Sequence, residues 1–332
     1  MSYKITLIPG DGIGPEVTKA TKKVLDSIDL AIDWEIVNAG EKVYQETGVL
    51  IPNPVFESIE NNKVVLKGPI TTPIGSGFRS INVLLRKKYD LYANIRPIKA
   101  LKENSLDLTI FRENTEGLYI GEEQMVDEFT AEAIKRITRK GSLRIAKAAF
   151  EYTKKNNIDK VTVVHKANIL KLTDGLFLNT VREVAKDYDI ELEEVIIDAM
   201  CMQLVMYPTK FKVIVTTNLY GDILSDLGAG LVGGLGLTPG ANIGDEIAIF
   251  EAVHGSGPDI AGLGVANPIA MIRSAIMMLE YLDENKKAKQ LETAVNKVIQ
   301  EAHVLTKDLG GTASTEAVSN EIIRVYKGIQ NG

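Results

Sequence analysis

The chain is poor in the residues that build several common kinds of functional site. Of its 332 residues only one is cysteine and three are histidine. The single Cys201 excludes an internal disulfide and indicates a compartment in which thiols stay reduced. So few sulfur and imidazole ligands also argue against a zinc site of the usual kind.

The chain also lacks an excess of positive charge and a long apolar run. Its 38 basic residues are outnumbered by 44 acidic ones, a net charge of −6 that disfavours a nucleic-acid-binding protein. The most apolar stretch, 266–282, contains Pro268, Arg273 and Glu280, so it predicts a buried helix and not a membrane span. No signal peptide is recognised before the first strand-like run. We therefore expect a cytoplasmic protein with neither nucleic-acid nor membrane partners.

The charge is unevenly distributed along the chain. Residues 79–99 carry a net charge of +5, whereas residues 216–268 carry −6 with no lysine or arginine and hold twelve of the 28 glycines. A charge run is usually a solvated face. Glycines, however, let the backbone approach a ligand closely, so the acidic segment is also a candidate binding region.

Strand-like runs alternate with helix-length segments whose apolar residues lie three and four apart. This alternation predicts an α/β protein with a largely parallel sheet. The length suits two domains or one large one. The predicted strands are 4–8, 32–38, 63–67, 108–111, 160–164, 192–197, 213–215 and 247–250, and the predicted helices include 15–27, 141–155, 174–188 and 289–301.

Neither common nucleotide-binding signature is present. The segment Gly10-Asp-Gly-Ile-Gly-Pro-Glu16 follows a strand, but its third glycine is one place too early for a Rossmann fingerprint. No glycine is followed directly by lysine, so there is no P-loop. A dinucleotide would have to be held in another way.

Three arginines in the middle of the chain form a candidate polyanion site. Arg86, Arg96 and Arg112 offer forked donors that match carboxylates or phosphates. Ser80 and Asn82 add neutral donors, and Arg86 lies one helical turn after Asn82. Each arginine taken alone is also compatible with an ordinary ion pair.

Asp222 and Asp226 are spaced four apart, which on a helix places both carboxylates on one face. Oxygen-only ligands suit Mg²⁺ or Mn²⁺. The alternative is a pair of capping or solvated acids at a helix start.

Six segments, in order, resemble the β-decarboxylating dehydrogenases, the family of isocitrate, isopropylmalate, homoisocitrate and tartrate dehydrogenases. Among these the chain looks most like the NAD-dependent isocitrate enzymes, and the match spans nearly its whole length. The segments are Gly10-Asp-Gly-Ile-Gly-Pro-Glu16, Leu91-Tyr-Ala-Asn-Ile-Arg-Pro97, Arg112-Glu-Asn-Thr-Glu116, Val164-His-Lys-Ala-Asn168, Asn218-Leu-Tyr-Gly-Asp-Ile-Leu-Ser-Asp226 and Glu251-Ala-Val-His-Gly-Ser-Gly-Pro-Asp-Ile260.

The resemblance implies NAD-dependent oxidative decarboxylation of isocitrate to 2-oxoglutarate and CO2, assisted by Mg²⁺ or Mn²⁺. By similarity, Tyr119 would protonate the enol carbon and Lys166 would take part in deprotonating the substrate hydroxyl. The tricarboxylate would be bound by Ser80, Asn82, Arg86, Arg96 and Arg112. The metal ligands would be Asp222 and Asp226, with Asp198 from the other subunit.

The resemblance also places the cofactor. It implies contacts to NAD from Thr72, His254, Gly255, Asp259, Ile260 and Asn267. Relatives that use NADP carry lysine and tyrosine where this chain has Asp259 and Ile260. A carboxylate accepts hydrogen bonds from both ribose hydroxyls but repels a 2′-phosphate, so we expect a preference for NAD.

The implied fold has two α/β domains that share a largely parallel central sheet, and it is not a Rossmann fold. The nucleotide-binding domain would comprise 1–99 and 233–332, and the domain with the metal acids would comprise 100–232. The second domain would form a homodimer with shared active sites, and 118–129 would belong to the interface clasp.

Two alternatives remain open from the sequence. Homoisocitrate or 3-isopropylmalate could replace isocitrate, although Ser80 and Asn82 suit a third carboxylate better than an apolar group. The chain could also be a non-catalytic regulatory subunit, but it keeps every catalytic and metal residue named above.

Overall fold

The computed structural model describes residues 2–71, 80–100 and 105–331. Within these ranges the strands are β1 Tyr3–Ile8, β2 Ile32–Ile36, β3 Val64–Lys67, β4 Ala93–Lys99, β5 Asp107–Glu113, β6 Glu123–Met125, β7 Ala131–Ala133, β8 Lys160–His165, β9 Glu191–Ile196, β10 Val213–Thr216, β11 Pro239–Ile243 and β12 Ala248–Ala252. The α-helices are α1 Gly14–Asp26, α2 Glu41–Thr47, α3 Asn53–Asn62, α4 Ile81–Lys88, α5 Arg139–Lys155, α6 Thr173–Ala185, α7 Ile197–Met206, α8 Asn218–Leu231, α9 Ile269–Tyr281, α10 Asn285–Glu301 and α11 Thr315–Asn331.

The chain divides into two compact units. The first comprises Met1–Leu85, Gly233–Ala241 and Asp245–Gly332. Its β1 pairs in parallel with β2 and β3, and β3 pairs in parallel with β12. Helix α1 turns Val17, Val24 and Leu25 inward at helical spacing and packs against α9 and α11.

The second unit comprises Arg86–Val232 and Asn242–Gly244. Strands β5, β10, β8 and β9 are parallel in that order, and β4 runs antiparallel to β5. Neighbouring residues of β5 face opposite cores, because Phe111 packs in the cluster that includes α5 and α6 whereas Ile110 packs in the one that includes α7 and α8. Burial on both faces explains the continuous apolar character of these strands.

The predicted α/β class with largely parallel strands is confirmed, and most predicted strands end within two residues of the observed ones. Strands β4, β6, β7 and β11 were not predicted from the sequence. In β4, Arg96 and Pro97 interrupt the apolar pattern that marks a strand. Pairing with β5 places residues 93–99 in the second unit, whereas the first domain was expected to extend to residue 99.

The apolar stretch at 266–282 contains α9, ten of whose residues are buried. Among the described helices, none combines the length and apolarity needed to cross a membrane.

Candidate active site

The carboxyl ends of two adjacent strands bring the first candidate residues together. Strand β10 lies parallel to β5 with Thr216 opposite Arg112, and α8 begins directly after β10. Arg112 therefore lies beside the first turns of α8. The carboxyl edge of a parallel sheet is the usual place for a ligand in α/β proteins.

Asp222 on α8 is the centre of a cluster of charged and hydroxyl groups. Its Oδ1 accepts hydrogen bonds from Arg112 Nη1 and, at 3.1 Å, from Arg96 Nη1, and its Oδ2 accepts one from the Tyr119 hydroxyl. Burial alone would raise the pKa of Asp222, but Arg112, Tyr119 and Arg96 outweigh it and hold this pKa below its usual value. Asp222 is thus an anion at neutral pH.

Asp226 lies one turn further along α8. Burial and the charge of Asp222 raise its pKa, and Arg96 opposes this shift. Both acids lie within α8, so the condition under which their spacing places them on one face of a helix is met. We use "Asp222 cluster" for the set Arg86, Arg96, Arg112, Tyr119, Asp222 and Asp226.

The oxygen atoms of Asp222 and Asp226 are suitable ligands for a hard divalent cation, because such cations prefer carboxylate oxygens. Among the described residues, however, no group of three acidic, histidine or cysteine side chains is close enough to hold a metal by itself. The two aspartates therefore fit a metal whose remaining ligands come from elsewhere.

Arg112 is almost fully buried and has its charge close to two others. Burial, followed by the charges of Arg96 and Arg86, lowers its pKa. Three guanidiniums and two carboxylates leave the cluster with a formal charge of +1. The cluster is therefore suited to attract an anion.

Tyr119 lies in a one-turn 3₁₀ helix, Leu118–Ile120, that follows Gly117. Its ring lies against the Arg112 guanidinium, 5.1 Å from centroid to carbon. Burial and the neighbouring Asp222 raise the pKa of its hydroxyl, so the side chain stays protonated at neutral pH. This protonation state is the one a proton donor needs.

Lys166 and Asp198 form a separate pair. Lys166 follows β8, Asp198 is the second residue of α7, and the two side chains are ion-paired. The hydrogen bond from Lys166 lowers the pKa of Asp198, whose side chain is 69% exposed. Within one chain Asp198 contacts Lys166, and its exposure leaves it accessible to another molecule.

The glycine-rich loops of the first unit are joined by a backbone hydrogen bond and by a side-chain contact. The N–H of Ile13 donates to the Ser256 carbonyl at 2.8 Å, and Thr71 Oγ1 lies 2.7 Å from Ser256 Oγ. Gly12 has φ +59°, and a Cβ there would lie 2.1 Å from the Ser256 oxygen. Only glycine allows this approach, which holds the 10–14 loop against the loop that carries His254.

Within the described ranges, one ring nitrogen of His254 forms no hydrogen bond. Its Nδ1 lies 3.0 Å from the Gly255 carbonyl, while its Nε2 is buried and has no hydrogen-bond partner among the described residues. Burial lowers the pKa of this imidazole, so it is neutral at pH 7. A buried, unpaired nitrogen of this kind fits an adenine ring that supplies the missing partner.

Asn267 is already engaged within the protein. Its Nδ2 donates to Asp308 at 2.8 Å and its Oδ1 accepts from the N–H of Ile269 at 2.9 Å. Its second amide hydrogen and the second lone pair of Oδ1 remain for a base. Asp259 and Ile260 lie in an exposed 3₁₀ turn, Pro258–Ile260, where a ribose could reach them.

The remaining predicted residues lie at the start of α4 or outside the described ranges. Asn82 is the second residue of α4, and its Oδ1 is buried without a hydrogen-bond partner in the described part of the chain. Ser80 precedes this helix, and its carbonyl accepts the Leu84 N–H. Thr72 lies outside the described residues.

The neutral residues that hold the arginines were not predicted from the sequence. Arg96 donates from Nε to Asn94 at 2.6 Å and from Nη1 to Ser225 at 2.5 Å. Arg112 donates to Asn218. Asn218 and Ser225 belong to the same short segment as the two acids, so the helical spacing of 218, 222 and 225 was an available signal.

The chain is similar along nearly its whole length to known dehydrogenases. The family model for isocitrate/isopropylmalate dehydrogenase matches residues 4–323. The probable mitochondrial NAD isocitrate dehydrogenase of Drosophila melanogaster, in its alpha chain, is 47% identical over 96% of this chain and 86% of that protein. A regulatory chain of the mitochondrial NAD isocitrate dehydrogenase of Dictyostelium discoideum is 49% identical over 97% and 91%. The crystal structure of isocitrate dehydrogenase from Methylococcus capsulatus superposes with a TM-score of 0.93 at 49% identity, covering 98% of this chain and 99% of that one.

The cytoplasmic location expected from the sequence is contradicted, because the relatives from Drosophila and Dictyostelium are both named mitochondrial. The physical reason for the error is plain. A single cysteine indicates that thiols remain reduced, and this condition does not distinguish one reducing compartment from another.

Proposed function

The chain belongs to the isocitrate/isopropylmalate dehydrogenase family, and from that membership we propose that it oxidises isocitrate with NAD and releases CO2 to give 2-oxoglutarate. The Asp222 cluster is the observation that carries the proposal. Its three arginines can bind a substrate that carries several carboxylates, and the two acidic residues among them can bind a cation beside that substrate.

The charges of the cluster support a tricarboxylate. Its formal charge is +1, and a bound divalent cation would bring it to +3, the opposite of fully ionised isocitrate. The family membership supports a divalent metal, and the hard oxygen donors favour Mg²⁺ or Mn²⁺. Asp222, Asp226 and Asp198 of the partner subunit would hold it, and when bound it would polarise the oxygen at the carbon being oxidised.

Side chains of the protein would carry out the two proton transfers of the reaction. Tyr119, protonated and held by Asp222, would deliver a proton to the substrate carbon after loss of CO2. Lys166 of the partner subunit would help remove the hydroxyl proton. Arg86, Arg96 and Arg112 would orient the carboxylates so that these transfers take place over short distances.

The nucleotide loops would hold NAD. His254 Nε2, which lacks a partner among the described residues, would meet the adenine, beside Gly255 and the remaining amide hydrogen of Asn267. Asp259 would accept hydrogen bonds from the ribose hydroxyls, with Ile260 beside it. Thr72 would lie near the nicotinamide.

Substrate choice within the family rests on Ser80 and Asn82, which would bind the third carboxylate. The test is kcat/KM for isocitrate, homoisocitrate, isopropylmalate and tartrate with NAD and Mg²⁺. We expect isocitrate to be the best substrate, with homoisocitrate about tenfold or more behind because it carries one extra methylene. Isopropylmalate as the best substrate would contradict the role given to Ser80 and Asn82.

A regulatory role is the second candidate, because the Dictyostelium relative at 49% identity is named regulatory. Overall similarity therefore does not separate the two roles. The residues do favour catalysis, since Tyr119, Lys166, Arg112 and the three aspartates are all present. Purified chain that binds Mg²⁺ and NAD but never forms NADH would support the regulatory role.

The assembly we propose is a homodimer with shared active sites. Apolar side chains are exposed on α7 and α8. Others are exposed in and beside the short antiparallel pair β6–β7, including Phe129 at 90% exposure in the connection between the two strands. So many large apolar side chains left exposed on these elements favour an interface. The apolar residues concerned are Met202, Val205, Met206, Ile223, Leu231, Met125, Val126, Phe129 and Ile134.

A further inference from the structure

Asn218, the first residue of α8, connects two parts of the Asp222 cluster. Its side chain is buried. Its Oδ1 accepts hydrogen bonds from Arg112 Nε at 3.0 Å and from Arg112 Nη2 at 2.7 Å. Its Nδ2 donates to the carbonyl of Glu116 at 3.1 Å. One amide thus contacts both the guanidinium proposed to bind substrate and the segment that leads to Tyr119.

Arg112 depends on this amide for its orientation. Two of its nitrogens donate to Asn218, and Nη1 donates to Asp222. Without the amide, buried N–H groups would lose their acceptor, and the guanidinium would turn to pair more fully with Asp222. The helix also supports the stem of the arginine, because a Cβ on Gly221 would lie 2.6 Å from its Cβ and Cγ.

The segment before Tyr119 passes directly over Asn218. Gly117 has φ +82°, and a Cβ there would lie 3.3 Å from the Cβ of Asn218. The bond from Asn218 to the Glu116 carbonyl anchors this turn, and two residues beyond Gly117 the Tyr119 hydroxyl reaches Asp222. The amide therefore fixes where the 3₁₀ turn begins.

We infer that Asn218 is a positioning residue that sets both the orientation of the Arg112 guanidinium and the place of the Tyr119 segment without touching the substrate itself. The inference rests on the proposed function, since it takes Arg112 as a ligand of isocitrate and Tyr119 as the proton donor.

The test compares Asn218→Ala with a matched control, Asn285→Ala, because Asn285 is also the first residue of a helix but is exposed. In Asn218→Ala we expect KM for isocitrate to rise about tenfold, as for the loss of a hydrogen-bonded charge. We expect kcat to fall several-fold because Tyr119 is less well placed. KM for NAD should stay within about twofold, since the NAD residues lie in the other unit. The control should match the wild type in all three constants.

A second variant covers the case in which Asn218→Ala does not fold. Asn218→Asp keeps an acceptor for Arg112 and suits a helix start, but it has no donor for the Glu116 carbonyl, so kcat should again fall several-fold. A folded variant with a lower Tm but unchanged KM for isocitrate and unchanged kcat would overturn the inference.

Failure of the proposed function would look different, because the wild-type chain itself would not turn over isocitrate. In that event, calorimetric titration with isocitrate and Mg²⁺ in the absence of NAD decides the inference. Weaker binding by Asn218→Ala than by wild type supports it, and equal binding contradicts it.

Discussion

Individual side chains in this protein owe their chemistry to their neighbours. Asp222 and Asp226 are the same residue type one turn apart, yet the pKa of Asp222 is lowered and that of Asp226 is raised. The difference arises because burial acts on both, whereas only Asp222 is hydrogen-bonded to Arg112 and Tyr119. Sequence spacing identified the pair but could not assign this difference, since the arginines come from distant positions in the chain.

Cofactor preference belongs to the residue scale. Replacing Asp259 with lysine and Ile260 with tyrosine removes a charge that repels a 2′-phosphate and adds one that attracts it. The ratio of kcat/KM for NAD to that for NADP should fall by about tenfold or more. Both side chains are exposed, so folding should be unaffected. An unchanged ratio in a folded variant would show that the ribose lies elsewhere.

At the scale of elements, Glu116 joins the end of β5 to the start of α5. Its carboxylate accepts hydrogen bonds from the N–H and the hydroxyl of Thr138, at 2.9 and 2.8 Å, and Thr138 in turn caps α5 through the N–H of Gly141. Burial raises the pKa of Glu116 to about 7, with Glu113 adding to the shift. No sequence pattern predicted this link, because a buried glutamate looks like any other in the sequence.

The raised pKa of Glu116 predicts how stability depends on pH. The folded chain holds this proton more tightly than the unfolded chain does. The stability that protonated Glu116 contributes is therefore complete below the pKa of this residue in the unfolded chain, near 4.5. It is lost as pH rises through about 7, its pKa in the folded chain. Between pH 5 and 8 the free energy of unfolding should fall by about 2 kcal/mol more in wild type than in Glu116→Gln. Urea titrations across this range measure the difference, with the exposed Glu123→Gln as control. Parallel pH curves for wild type and Glu116→Gln would refute the assignment.

At the scale of the whole molecule, the proposed dimer predicts that defects in two chains can complement each other. Tyr119→Phe removes a group that each chain would supply to its own active site. Lys166→Met removes a group that each chain would supply to the active site of its partner. In a heterodimer of the two, one site carries both defects and the other carries neither. Mixing the inactive variants under conditions that exchange subunits should restore about a quarter of wild-type activity.

The complementation experiment has its own control. Two variants of the same class, Tyr119→Phe and Asp222→Asn, should restore no activity when mixed, because every site would then contain one defect. Light scattering should show a dimer before and after exchange. Activity that stays at the level of the separate variants in both mixtures would mean that each site is built from one chain.

The sequence by itself determined the α/β class, most of the strands, several of the helices, and the family. All three follow from local features of the chain. The spacing of apolar residues indicates strands and helices, and the order of the motifs indicates the family. The three-dimensional structure alone decided that β4 carries Arg96 into the second unit and that Asn218 holds Arg112. It also decided that the third predicted metal ligand, Asp198, pairs with Lys166 within its own chain. Burial and long-range contacts set these features, and neither is a property of any single stretch of sequence.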